Sequence, residues 1–112
     1  MKRITAYLRP YKLEEVKTAV ANLPITGMTI TDVRGTGNSP ERSSWFAGEQ
    51  HLIALPLRSK LVIVVTDDLV DDVLNCIQEH ARTGEPGDGK ITVEQLSDVI
   101  RIRTNERGET AI

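Results

Sequence analysis

The segment Gly84-Glu85-Pro86-Gly87-Asp88-Gly89-Lys90 contains residue types suited to binding phosphate. Glycines let backbone N–H groups approach phosphate oxygens, and a lysine supplies the opposing charge. The segment nearly matches the Walker phosphate-binding motif, but two features disagree with it. Ile91 stands where the magnesium-binding Ser or Thr belongs. The loop also follows a helix-like stretch and precedes a strand-like one, the reverse of the order that motif requires. A P-loop NTPase is therefore excluded. What remains is a glycine-rich loop ending in a lysine, which also reads as a helix stop followed by a turn.

Other cations stand at a distance in sequence. Arg101, Arg103 and Arg107 lie near the end of the chain, and Arg101 and Arg103 project to one side if that backbone is extended. Arg58 and Lys60 stand where a long loop returns, and Gly35, Thr36 and Gly37 stand at its start. Asp67, Asp68, Asp71 and Asp72 are better explained as helix-start acids than as a metal site. His51, His80 and Cys76 lack zinc-like spacing. Trp45 and Phe46 in the long loop are candidates for partner contact. No nucleophile stands with a base and an orienting group that sequence alone can place.

These groups must be positioned by a small set of elements. Residues 2 to 9 alternate, with Ile4, Ala6 and Leu8 on one side and Arg3, Thr5, Tyr7 and Arg9 on the other, which predicts a half-buried strand ended by Pro10. From Lys12 to Leu23, the residues Leu13, Val16, Val20 and Leu23 share one helical face. Met28 to Val33 reads as a second strand whose alternation slips at Asp32 and Val33, as a bulge would make it. The stretch from Gly35 to about Leu57 shows no convincing period. Leu61 to Val65 is continuously apolar, which predicts a third strand covered on both faces. Thr66, Asp67 or Asp68 can cap a second helix with Val70, Val73, Leu74, Ile77 and Ala81 on its inner face, ending at Arg82-Thr83-Gly84. Lys90 to Val93 is a short fourth strand, and the tail from Ile100 to Ile112 is irregular. The order βαββαβ predicts an α+β ferredoxin-like sandwich, an antiparallel sheet with both helices on one face. The other face needs cover, which predicts self-association.

Composition limits the alternatives. The 112 residues suit one domain, so any function rests on one site or one interface. Fourteen basic and sixteen acidic residues leave a net charge of −2, without the positive surplus of a non-specific nucleic-acid binder, so no nucleic-acid partner is expected. The single cysteine cannot form an internal disulfide, no run reaches membrane-spanning length, and Met1-Lys2-Arg3 opens directly into a strand pattern. The expectation is a cytoplasmic protein.

The ferredoxin-like order, the long loop after the second strand, Thr83 to Ile91, Ile100 to Gly108, and the opening Arg9 to Val16 with Gly27-Met28-Thr29 together resemble the PII signal-transduction family. The resemblance spans the chain apart from the middle of the long loop. It implies a single PII-like domain over 1–112, with a T-loop at about 37–57, a phosphate-binding loop at 82–90 and a C-terminal loop at 100–112. It also implies a homotrimer with a nucleotide site in each intersubunit cleft. Carried over residue by residue, Gly35, Gly37, Gly87, Asp88, Gly89 and Lys90 of one subunit would hold the phosphates. Gly27, Met28, Thr29 and Val64 of its neighbour would line the adenine pocket, and Arg101 and Arg103 would reach the phosphates across the cleft.

The departures are as informative. In classical members the T-loop carries a glutamine that helps bind magnesium and 2-oxoglutarate; Ser39 stands there, preceded by Asn38 where an arginine is usual. His51 replaces the tyrosine that nitrogen-sensing members have uridylylated. Val62 stands where a glutamate is common and Thr92 where an aromatic is common. This pattern resembles a divergent PII-like paralogue of the type linked to bicarbonate transport and carboxysomes. The expected function is non-enzymatic, with no cofactor and no metal: ADP, AMP or ATP binds in the clefts, a small anion such as bicarbonate binds near Thr36, Gly37 and Arg58, and the T-loop regulates a transporter or metabolic enzyme. The alternative is a classical nitrogen regulator sensing ATP, ADP and 2-oxoglutarate. A small enzyme such as an acylphosphatase lacks its loop arginine and asparagine pattern here, and a cation-tolerance trimer lacks evident metal ligands.

Overall fold

The computed structural model describes residues 1–37 and 55–112. The middle of the T-loop, with Asn38, Ser39, Trp45, Phe46 and His51, lies outside the described residues. Six regular elements appear: β1 (Lys2–Leu8), α1 (Leu13–Ala21), β2 (Thr29–Arg34), β3 (Leu57–Val65), α2 (Val70–Ala81) and β4 (Lys90–Gln95). The sheet runs in the order β2-β3-β1-β4 with every neighbouring pair antiparallel, which is the ferredoxin-like arrangement predicted from the element order.

One face of the sheet forms the core. Ile4, Ala6 and Leu8 of β1 and Leu61, Ile63 and Val65 of β3 are buried against Val16 and Val20 of α1 and Val73, Ile77 and Ala81 of α2. Each set follows the period of its element, two in the strands and about 3.6 in the helices, so a single apolar layer joins them. Short 3-10 turns lead into both helices: Pro10–Lys12 before α1 and Asp67–Leu69 before α2. Pro10 thus begins a turn where its missing N–H costs nothing. Thr66 makes no side-chain cap; its hydroxyl donates to Asp68 instead, while Asp67 pairs with the N-terminal ammonium at 2.8 Å.

Several sequence expectations need correction. β2 pairs with β3 without interruption from Thr29 opposite Val62 to Arg34 opposite Leu57, so no bulge exists at Asp32 and Val33. The missing alternation there reflects an edge strand that buries little on either face. β3 begins at Leu57 rather than Leu61; within one chain the helices cover one of its faces, and Val62 and Val64 on the other are half-buried. The tail is ordered by an isolated bridge between Ile100 and Arg107 and by a 3-10 turn at Gly108–Ala111. A turn at 102–104 means that the backbone between Arg101 and Arg103 is not extended, which removes the premise for placing them on one side.

Candidate functional site: a glycine loop and a second set of residues at the far end of the sheet

The glycine loop leaves α2 at Arg82 and returns as β4 at Lys90. Its hub is the Asp88 carboxylate. One oxygen accepts the N–H groups of Thr83 and Gly84, both at 2.9 Å; the other accepts the Thr83 hydroxyl and the Arg9 Nε at 3.1 Å. Arg9 also donates through Nη2 to the Pro86 carbonyl at 2.8 Å, and the Glu85 N–H donates to the Thr83 hydroxyl oxygen at 3.1 Å. These bonds, led by that of the Thr83 hydroxyl, hold the Asp88 carboxyl far below the usual carboxylate range. Asp88 therefore spends its side chain on the loop, leaving its N–H as the group it can offer a phosphate.

Gly87 and Gly89 have φ values of 104° and 102°. At Gly89 the requirement is severe, because a Cβ there would lie 1.7 Å from the Tyr7 carbonyl oxygen. The loop thus returns in close contact with β1, which brings the N–H groups of Gly87, Asp88 and Gly89 beside the sheet's open face. None of the three donates a hydrogen bond among the described residues. Successive unclaimed N–H groups in a turn form a concave anion receptor.

Register aligns the surrounding cations. Tyr7 pairs with Lys90 on one side and Lys60 on the other, so Lys90, Tyr7 and Lys60 form a row about 5 Å apart across the open face. The Lys90 ammonium makes no ion pair among the described residues. Tyr7, Gly35, Thr36, Gly37, Arg58 and the loop from Glu85 to Lys90 line one cleft of about 580 Å³, a volume within the range of small-molecule sites. The start of the T-loop is tied shut beside it: the Gly35 N–H donates to the Pro56 carbonyl at 3.1 Å and the Arg34 guanidinium to the Leu55 carbonyl at 3.2 Å. Gly35 therefore has no free N–H for phosphate, whereas those of Thr36 and Gly37 make no bond among the described residues. The Arg58 guanidinium donates to the Leu57 carbonyl at 3.1 Å.

The remaining candidates lie elsewhere. Val64 is six residues from Arg58 along β3, about 20 Å away, and pairs with Arg3. Gly27 and Thr29 are exposed at that same end, and Met28 packs against the core. The C-terminal segment arrives there too, since the Leu96 N–H bonds the Met1 carbonyl at 3.0 Å. Arg101 pairs with Glu106 at 3.2 Å and donates to a main-chain oxygen of Ile112 at 3.1 Å. Arg107 pairs with Asp98 at 2.8 Å; the Val99 N–H and then this arginine hold the Asp98 carboxyl below its ordinary value. Arg103 is exposed and makes no ion pair among the described residues. The candidate residues of one chain thus divide between the glycine-loop end of the sheet and, for Thr29 and Val64, positions farther along β2 and β3.

Sequence reading did not assign Tyr7 or Arg9 to the site. Tyr7 was visible as an outward residue of β1, but only the register places it between two lysines. Arg9 entered only as the start of the Arg9 to Val16 opening, with no site role attached. The described residues contain no group of three or more His, Cys, Asp or Glu side chains able to hold a metal, and no described helix is long and apolar enough to cross a membrane. His80 instead meets Glu15 at 3.0 Å between the helices, and Cys76 is half-buried.

Residues 1–106 match the family model described as nitrogen regulatory protein P-II. The chain is 43% identical over 112 residues, all of both chains, to the nitrogen regulatory protein P-II of Pasteurella multocida. It is 42% identical over the same length to nitrogen regulatory protein P-II 1 of Escherichia coli. Among solved structures it is similar to Arabidopsis thaliana PII bound to citrate, with a TM-score of 0.79 and 41% identity over 99% of this chain and 91% of that one.

Proposed function

The chain belongs to the nitrogen regulatory protein P-II family, and from that premise we propose that it is a non-enzymatic signalling protein. It binds ADP, AMP or ATP in the clefts of a homotrimer, senses a small anion beside the nucleotide, and acts on a transporter or metabolic enzyme through the T-loop. The observation that carries this reading is the separation of the site residues into two sets. The glycine-loop end offers unclaimed N–H groups and Lys90 for phosphates, while Val64 stands some 20 Å from Arg58 along β3, with Gly27, Met28 and Thr29 at the start of the neighbouring β2 and Arg101 and Arg103 in the C-terminal segment. A second copy of the chain, set against the open face, brings the two sets together.

Coupling follows from position. Thr36 and Gly37 line the cleft and directly follow the Gly35 bond to Pro56 that closes the T-loop's base. A ligand touching them has different affinity for different loop states, the condition for shifting the loop's population. Bicarbonate is the anion favoured. It carries one delocalised charge that the forked donors of Arg58 and the N–H groups of Thr36 and Gly37 suit. Ser39 lacks the glutamine's capacity to help hold magnesium and, through it, 2-oxoglutarate. Nucleotide phosphates repel a second anion, so ADP and AMP are better companions for bicarbonate than ATP. The second reading, a nitrogen regulator sensing 2-oxoglutarate, is favoured by the names of the relatives over the full chain length. The citrate on the Arabidopsis relative supports a carboxylate-bearing ligand.

Calorimetry with ATP, ADP and AMP, each with and without bicarbonate and with magnesium and 2-oxoglutarate, tests both. The expected result is bicarbonate binding that strengthens with ADP or AMP and is lost in Arg58→Ala. Tight magnesium-dependent 2-oxoglutarate binding with ATP, and no bicarbonate effect, establishes the second reading instead.

A further inference from the structure

Arg9 does not line the cleft, yet it bonds two residues of the glycine loop that do, Asp88 and Pro86. Its side chain is 16% exposed, and its guanidinium bridges the Asp88 carboxylate and the Pro86 carbonyl, at 3.1 and 2.8 Å. Asp88 holds the start of the loop through Thr83 and Gly84, and Pro86 forms its tip. A planar fork can satisfy both acceptors at once from the end of β1, whereas an ammonium is a point charge that reaches one at a time. Because Arg9 follows Leu8, which is fixed in the core at 1% exposure, the bridge refers the loop to the rigid sheet.

We propose that Arg9 is a positioning residue which, through Asp88 and Pro86, holds the glycine loop with its Gly87, Asp88 and Gly89 N–H groups directed at the anion. Its contribution is to receptor geometry, so it affects ligands in proportion to their use of that loop. The inference rests on the nucleotide reading for the identity of the anion, but the loop's order is measurable without any ligand.

The test combines amide hydrogen exchange on the ligand-free protein with calorimetry of ATP and adenosine, in wild type, Arg9→Met, Arg9→Lys, Asp88→Asn and the double variant. In Arg9→Met the amides of Thr83 and Gly84 exchange faster, ATP binds about tenfold more weakly, and adenosine binds as in wild type. Arg9→Lys falls between wild type and Arg9→Met. Arg9→Met in the Asp88→Asn background costs less than it does alone, since the two residues act through one network. The proposal is overturned if Thr83 and Gly84 keep their protection in Arg9→Met, if the two losses simply add, or if lysine restores ATP affinity fully. Failure of wild type to bind ATP defeats the nucleotide reading alone, and the exchange rates then decide the role of Arg9.

Discussion

The two ends of the sheet present cationic groups in opposite conditions. At the glycine-loop end, the Asp88 carboxylate is consumed within the loop, the exposed Glu85 lines the cleft, and Lys90 and three N–H groups remain unclaimed among the described residues. At the far end, Arg101 and Arg107 are paired with Glu106 and Asp98 of their own segment, and only Arg103 stands clear of any ion pair among the described residues. The first end is a concave loop tied together by the Asp88 and Arg9 hydrogen bonds. The second is a local structure complete in itself that extends one cation outward. On the proposed reading, a rigid cradle on one copy would meet a reaching arm on another.

The sharpest contrast is between the same substitution at the two ends. Gly89→Ala sets a Cβ 1.7 Å from the Tyr7 carbonyl oxygen at a φ of +102°, so it should cost about 3 kcal/mol or more and displace the loop. Gly27→Ala meets nothing within 4 Å and should stay within about 0.5 kcal/mol of wild type. Urea denaturation of both variants checks this, and equal midpoints would contradict the close approach of loop to strand.

Lys90→Ala and Arg103→Ala should each weaken ATP binding by about 30-fold, since one charge-assisted contact to phosphate is worth about 2 kcal/mol. Calorimetry measures both losses, and ATP affinities unchanged in both variants would place the nucleotide elsewhere.

The fold was legible because its signal is repeated. Five apolar positions of α2 and three of β1 each point to the same layer, so no single residue decides the outcome. The edge strand β2 was harder, since it buries little on either face and leaves no clean alternation. Of the site, the glycine loop was visible in sequence because glycine at a tight turn is nearly obligatory. The roles within it were not visible, because the Asp88 carboxylate and Arg9 meet across 79 positions of sequence through a register that composition does not encode. The tail was read as irregular, and its alternating Ile and Arg from 100 to 103 would share sides only in extended backbone, which the turn at 102–104 breaks.

Acid should loosen the first end in a defined window. The folded Asp88 carboxyl ionises well below the unfolded value of about 3.9, so its stabilisation is complete above that value and is lost as the pH falls toward the folded one. The amide resonances of Thr83 and Gly84 should hold steady from about pH 8 to about pH 5 and move only below about pH 4. Movement near pH 6 would contradict the network. The smallest effect belongs to the second end: Glu106→Gln removes the partner of Arg101 in a pair about 40% exposed on both sides, so nucleotide affinity should change by no more than about fivefold. A larger change, seen by the same calorimetry, would make that pair a control element.

The central claim is that the two ends serve one site only when they come from different copies of the chain. Lys90→Ala and Arg103→Ala protein, each weak for ATP alone, are unfolded together and refolded as mixed oligomers. A cleft that takes its loop from the Arg103→Ala chain and its arginine from the Lys90→Ala chain is intact, and random mixing at equal amounts makes about a quarter of the clefts of that kind. The account predicts that calorimetry on the mixture recovers wild-type ATP affinity in about that fraction of sites. A mixture with only the two weak affinities of its parents would show that each site is built within a single chain.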